Sequence, residues 1–295
     1  MGDGILSVLE GAINTWNQAM RDITIHLTTT PDAFNGGGPW DVVASINTAL
    51  QGIGYGLLML FFLMSFLKYT TDFRELSFQQ IIGWIVRFLL VKFLIDYCVG
   101  ILTFCINISL GINDTIFSIS GYDGASQAVI SDEVRNVFAA VQEGSVLEQI
   151  GAFFQEIPML MMAGLGSILI WIAGAVMVMV VYLRFFKLFI YTALAPIPLA
   201  FFGSAETSAT GKHFLKSYFA VCLEICIIAV ACVVFNAMVS SGYGGLFPTW
   251  QQNTSGVNND LWNVGMNYII EMGLTFVMLA VVVFSSNKFV KEMIS

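Results

Sequence analysis

Few residues of this chain have both the type and the spacing to do chemistry. Cys222 and Cys226 stand four apart, which puts them on one face of any helix that carries them, as a shared metal ion would require. No histidine or acid stands at ligand spacing from the pair. All five cysteines, Cys98, Cys105, Cys222, Cys226 and Cys232, lie inside apolar runs, so they read as small core residues, not as a metal centre or disulfide framework. The two histidines, His26 and His213, are far apart in the chain. The string from Gly203 to His213, GSAETSATGKH, has the outline of a phosphate-binding loop. Glu206 stands where that motif needs its first glycine, and His213 where it needs Ser or Thr. No Gly-x-Ser-x-Gly elbow occurs. The expectation is a protein that is not an enzyme and takes no metal or cofactor.

Ionisable residues inside apolar runs say more. They are Lys92, Asp96, Glu224 and Glu271. A charge at the bilayer centre costs on the order of 2.5–3.5 kcal/mol. Glu224 and Glu271 each stand some seven residues into an apolar run, roughly 10 Å deep at 1.5 Å per residue. Either they face a polar interior or a subunit contact, or they lie shallow enough to be wetted or protonated. Lys92 is expected to reach the headgroups and pair with Asp96 one turn on. Arg87 reads as an interfacial anchor.

The elements that must carry these residues follow from composition. Of 295 residues, 57% are hydrophobic and 11% charged, where soluble domains have roughly 25% charged. Mean hydropathy is +0.79. The net charge of −8 excludes a nucleic-acid binder of the basic-patch kind. A fold in water could not hide this much apolar surface, but a bilayer removes the need. Residues 44–67, 160–183, 217–239 and 264–286 each have the length and apolarity of a span. The stretch 78–120 fits one span, with 75–88 lying along the interface and 88–110 crossing, or two. Charge placement favours one. The expectation is an all-α, polytopic transmembrane helical bundle of about five spans, inserted through internal apolar segments because residues 1–10 carry no basic leader.

Four regions follow: 1–40, 41–110, 111–159 and 160–295. The first is an amphipathic helix and loop. Ile5, Leu9, Ala12, Ile13, Trp16, Met20 and Ile23 share one face, opposite Glu10, Asn14, Asn17, Gln18 and Arg21, which suits a membrane surface or a partner. A Gly/Pro-rich loop, 28–40, closes it. Region 41–110 holds the first spans. Region 111–159 is an acidic loop with a second amphipathic stretch through Val134, Val137, Val141, Leu147, Ile150 and Phe153. Two small-xxx-small pairs, Gly52/Gly56 and Ala163/Ser167, would permit close helix approach.

Basic residues then set the orientation. Residues 188–203 are apolar enough to cross, but Pro196 and Pro198 block a continuous helix after Ala195. A re-entrant or kinked segment here keeps Lys212 and Lys216 on the same side as Arg184 and Lys187. Ten of the twelve Lys and Arg then face the cytoplasm, with Arg21 and Arg135 outside. The N-terminus and 111–159 fall outside and the C-terminus inside.

The run from Tyr191 to Phe201, YTALAPIPLAF, follows Arg184 and Lys187 and precedes a short polar turn and another span. In this, and in its layout from about residue 40, the chain resembles the TrbL family of polytopic inner-membrane subunits of conjugation and type IV secretion machines. The resemblance implies a bacterial cytoplasmic-membrane channel component, homo-oligomeric, beside membrane-associated ATPases and bitopic subunits. It implies transient contact with single-stranded DNA bearing a relaxase, or with a protein substrate. Residues 184–216 would be a gate or docking region, with Arg184, Lys187, Lys212 and Lys216 as a basic face that attracts a polyanion or simply anchors in lipid headgroups. Some members of that family carry a long C-terminal tail, and the resemblance is not expected to extend to functions placed there. Two other functions fit the residues: a small-solute transporter or ion channel, and a non-conducting assembly scaffold.

Overall fold

A computed structural model describes residues 2–71, 78–122, 128, 130, 135, 146–240 and 261–294. They form helices and no strand. The helices are α1 (Gly2–Thr28), α2 (Gly38–Thr71), α3 (Phe78–Asp96), α4 (Cys98–Ser120), α5 (Val146–Leu194), α6 (Pro196–Ala200), α7 (Ser208–Ser240), α8 (Leu261–Phe284) and α9 (Ser286–Ile294). Most of the expected amphipathic stretch before Val146, with Val134, Val137 and Val141, lies outside the described residues, as does Arg74.

Five helices among the described residues are long and apolar enough to cross a bilayer, and the pair Tyr268–Phe284 and Ser286–Met293, bent by 45°, passes that test jointly. The chain is a polytopic helical membrane protein. The stretch 78–120, expected to hold one crossing, forms two helices, Phe78–Asp96 and Cys98–Ser120, each long and apolar enough to span. Lys92 and Asp96 do not force a turn, since both are exposed. The one interruption is Tyr97. Its N–H donates to Phe93 O at 3.0 Å and its carbonyl accepts from Ile101 N at 3.0 Å, so the helical bonding continues past it.

The chain divides into two compact units, one of residues 1–27, 115–181 and 227–286, the other of 28–114, 182–226 and 287–295. In the first unit the apolar face of α1 is covered: Ile5, Leu9, Ala12, Ile13, Trp16, Met20 and Ile23 are all buried, while Asn14, Gln18 and Arg21 stay exposed. The face read as fitting a membrane surface or a partner is thus met by the chain's own helices. The Trp16 ring lies 4.4 Å from that of Phe276 and 5.7 Å from that of Phe235. Ala163 is fully buried. The close approach on α5 is made by Gly166 and not by Ser167: a Cβ at Gly166 would stand 3.0 Å from Ile269 Cγ2. Ser167 bonds its own helix at Gly164 O, 2.8 Å away.

In the second unit α2 is the spine. It starts after a turn in which Asn35, Gly36 and Gly37 all have positive φ (50°, 72° and 84°), the left-handed region that glycine enters without steric cost. Phe34, beside that turn, stacks on Phe185 at 4.3 Å. From there the end of α5, then α6, run along α2 in the same direction. Asn47 Nδ2 donates to Thr192 O at 2.6 Å, Gly54 meets Pro196, Phe61 meets Phe201 at 4.7 Å, Ser65 Oγ donates to Ser204 Oγ at 3.0 Å, and Lys68 pairs with Glu206. Asn47 to Lys68 is about 32 Å of helix at 1.5 Å per residue, the thickness of a hydrocarbon core.

Candidate functional site

The proline-broken segment is present and is a kink. α5 ends at Leu194 and α6 opens with Pro196 at its first turn, where a missing N–H costs nothing. Ala195 keeps helical angles (φ −50°, ψ −40°) and accepts a bond from Leu199 N at 3.1 Å. The chain reverses only at Ser204, which is extended, before α7 begins at Ser208. Pro196 is buried, and Pro198 half-buried. What seats the kink is Gly54, where a Cβ would come within 2.9 Å of Pro196 O. Gly52 and Gly56, expected to make the close contact, are exposed with open space where a Cβ would point. The contact falls between them because Gly54 is the member of the trio on the buried face.

The out-and-back path of residues 188–212 returns His213 and Lys216 to Lys187. All three line one cavity of about 780 Å³, together with Tyr191, Val221 and, from α9, Lys291. Lys187 and Lys216, expected on one side of the membrane, line one cavity. Lys68 does not join them. It sits at the far end of the α2 contact with Glu206, because Thr192, five residues from Lys187, is level with Asn47 and not with Lys68. Lys68 and Lys187, both expected to face the cytoplasm, thus stand at two levels of the unit. Lys212 is exposed and is not among the cavity residues.

One turn before Lys187 is the largest departure from the sequence reading. Arg184, expected on a basic surface, is 0% exposed. Among the described residues none of its three guanidinium nitrogens has a hydrogen-bond partner. Its carbon lies 5.3 Å from the centroid of the neighbouring Phe185 ring, and its electrostatic neighbours are Tyr218, Cys222, Glu224 and Cys226 of α7. Glu224 is 2% exposed and takes Lys187 Nζ at 3.3 Å. Of the two readings left open for Glu224, the polar-interior one fits. Tyr218 Oη donates to Leu102 O at 3.1 Å, and Cys226 Sγ to Ser109 O at 3.6 Å, so α4 closes the other side. Cys98 Sγ donates to Asn47 Oδ1 at 3.2 Å, which completes a buried polar run from Asn47 to Glu224.

The remaining ionisable residues fall elsewhere. Asp96 accepts from Tyr55 Oη and has no ion pair with Lys92, contrary to expectation. The reason is that both side chains are at the exposed surface, where the tyrosine of α2 reaches the carboxylate first. Glu271 belongs to the first unit and is 7% exposed; its carbonyl accepts from Thr275 Oγ1 at 2.7 Å. Sequence reasoning missed Arg184 as a buried group, and also Asn47, Thr192 and Lys291. Asn47 stood in the apolar window as a polar residue between charges, a signal that it needs a partner. No family model, no curated protein and no solved structure matches the chain.

Proposed function

We propose that the chain is a membrane subunit of a conjugative DNA-transfer, or type IV secretion, machine, forming or scaffolding the passage of DNA–protein or protein substrates across the bacterial cytoplasmic membrane. One observation carries the reading: Arg184 is wholly buried without a hydrogen bond inside helices apolar enough to cross a bilayer, beside the Lys187–Glu224 pair. Charges in such positions are costly and mark pathways or subunit contacts. A helix that served only as an anchor would gain nothing from this arginine. The likeness of residues 184–216 to TrbL-type subunits supplies the machine, its ATPase and bitopic partners, the homo-oligomer and the outside N-terminus. No catalytic step is assigned to the chain.

The test is to place photocrosslinking residues at Ile197 and Leu223 in cells engaged in transfer. Adducts with the moving strand or its relaxase at either position are expected. Transfer at the normal rate with no adduct at both positions would leave the scaffold reading in its place. The same buried charges also suit a small-solute transporter or ion channel, and solute flux through the purified protein alone in liposomes would favour that alternative.

A further inference from the structure

Three candidate spans contribute lining residues to the cavity described above. The uncharged run of α5 ends just before Arg184 and Lys187, that of α7 begins just after Lys216, and the bent pair α8–α9 passes from apolar residues to Asn287 and Lys291. The spans Leu160–Leu194 and Ser208–Val239 run on past Lys187 and Lys216, so the cavity sets lysines against apolar helix surface, where long apolar stems let the charge reach toward headgroups.

Its charge is of one sign. The groups that face it are Lys187 from α5, His213 and Lys216 from α7 and Lys291 from α9, and among the described residues no carboxylate lines it. Glu224 lies beyond the inner wall and holds Lys187. Lys291 has Glu292 as its sequence neighbour, but Glu292 turns to Lys288 at 3.9 Å. Lys216 and Lys291 have no ion pair among the described residues. This is notable in a chain whose 20 acids outnumber its 12 Lys and Arg. Two ammonium groups lining one cavity with no counter-charge among the described residues leave it electropositive, so the site is set up for an anion from outside the chain.

The walls decide which anion. Tyr191, Ala220 and Val221 give the cavity an apolar side, and Ile190, Leu194 and Phe219 on the same helices are exposed apolar residues at 58%, 46% and 39%. A volume of about 780 Å³ is far more than a phosphate ion fills, and is in the range of sites that take a large organic ligand. Basic pockets between spans are suited to anionic lipid headgroups. We infer that the Lys187–His213–Lys216–Lys291 cavity holds the phosphate headgroup of an anionic phospholipid, its acyl chains lying on the exposed apolar flank of α5 and α7. Bound there, the lipid would tie α9 to the α5–α7 corner. The inference stands apart from the transport role proposed above and survives its failure.

The experiment uses the full chain in nanodiscs of phosphatidylcholine with graded phosphatidylglycerol, scored by the thermal unfolding midpoint and by lipids retained in native mass spectrometry. Phosphatidylglycerol is expected to raise the midpoint saturably and to be retained, whereas inorganic phosphate at millimolar concentration does neither. The double variant Lys216→Gln/Lys291→Gln should need roughly thirtyfold more phosphatidylglycerol for half the effect, about fivefold per lysine. Lys288→Gln, which removes the same charge outside the cavity, should behave as the parent does. The single variants Lys216→Gln and Lys291→Gln serve if the double one does not accumulate, with about fivefold expected for each. Equal retention by the parent and the cavity variants overturns the site. An equal response to inorganic phosphate overturns the lipid as its occupant.

Discussion

The two compact units each bury an apolar core and differ in the polar groups set within it. In the unit around Trp16 the buried surface is aromatic and aliphatic, with Glu271, Thr275 and Ser286 as its buried polar residues among those described. In the unit around Arg184 the buried polar set is Asn47, Ser109, Asn113, Arg184, Thr192, Ser204 and Glu224. Both units are all-helical and drawn from the same long apolar elements. Among the described residues the first buries one acidic or basic side chain, Glu271, where the second buries two, Arg184 and Glu224, although apolar packing and small residues are the usual means of assembling such helices. The charge in the second serves another purpose.

Changes that attack packing should have the largest effect on stability. Trp16→Ala removes a side chain that is 1% exposed and in contact with two aromatic rings, so a loss of about 3–5 kcal/mol is expected. A fall in the unfolding midpoint in detergent would be the readout, and on the proposed role DNA transfer would drop only as far as protein level drops. Gly54→Ala comes next. Its new Cβ meets backbone, Pro196 O at 2.9 Å, and a cost of about 1–3 kcal/mol follows from overpacking. Gly52→Ala and Gly56→Ala point into open space and should stabilise by up to about 1 kcal/mol, the helix propensity of alanine over glycine. If all three glycines responded alike, the seating of the kink on Gly54 would be wrong. Lys68→Ala should matter least. Its pair with Glu206 has side chains 60% and 56% exposed, and such pairs contribute about 0–1 kcal/mol. A larger loss would mean that the far end of the α2 contact is an anchor in its own right.

Much of the first unit is legible in the sequence. The apolar residues of α1 recur at helical spacing with charges opposite, so the buried face can be named residue by residue; what covers it cannot, because Phe235 and Phe276 lie more than two hundred residues away. The break at Pro196 is equally legible, since proline chemistry is local. The glycine contact is not. Gly52, Gly54 and Gly56 alternate along one helix, and only the partner surface selects among them. Arg184 is the clearest failure: an arginine at the end of an apolar run reads as an anchor, and its burial depends on α7 bringing Tyr218, Cys222 and Glu224 alongside. The Lys92–Asp96 pair failed for the same reason, in that Tyr55 of another helix was the nearer partner.

The claim at the centre is that the charge buried in the second unit is kept for function and at the expense of stability. Arg184→Met tests it directly, since methionine replaces the stem and removes the unbonded guanidinium. Replacing buried ion pairs by apolar groups of similar size is often neutral or stabilising by about 1–4 kcal/mol, and among the described residues Arg184 has no ion pair to break, since Glu224 keeps Lys187. The account predicts an unchanged or higher unfolding midpoint together with a DNA-transfer frequency reduced by at least about tenfold, the loss that roughly 1.4 kcal/mol represents. A lower midpoint with transfer per folded molecule unchanged would make Arg184 a structural residue and contradict it.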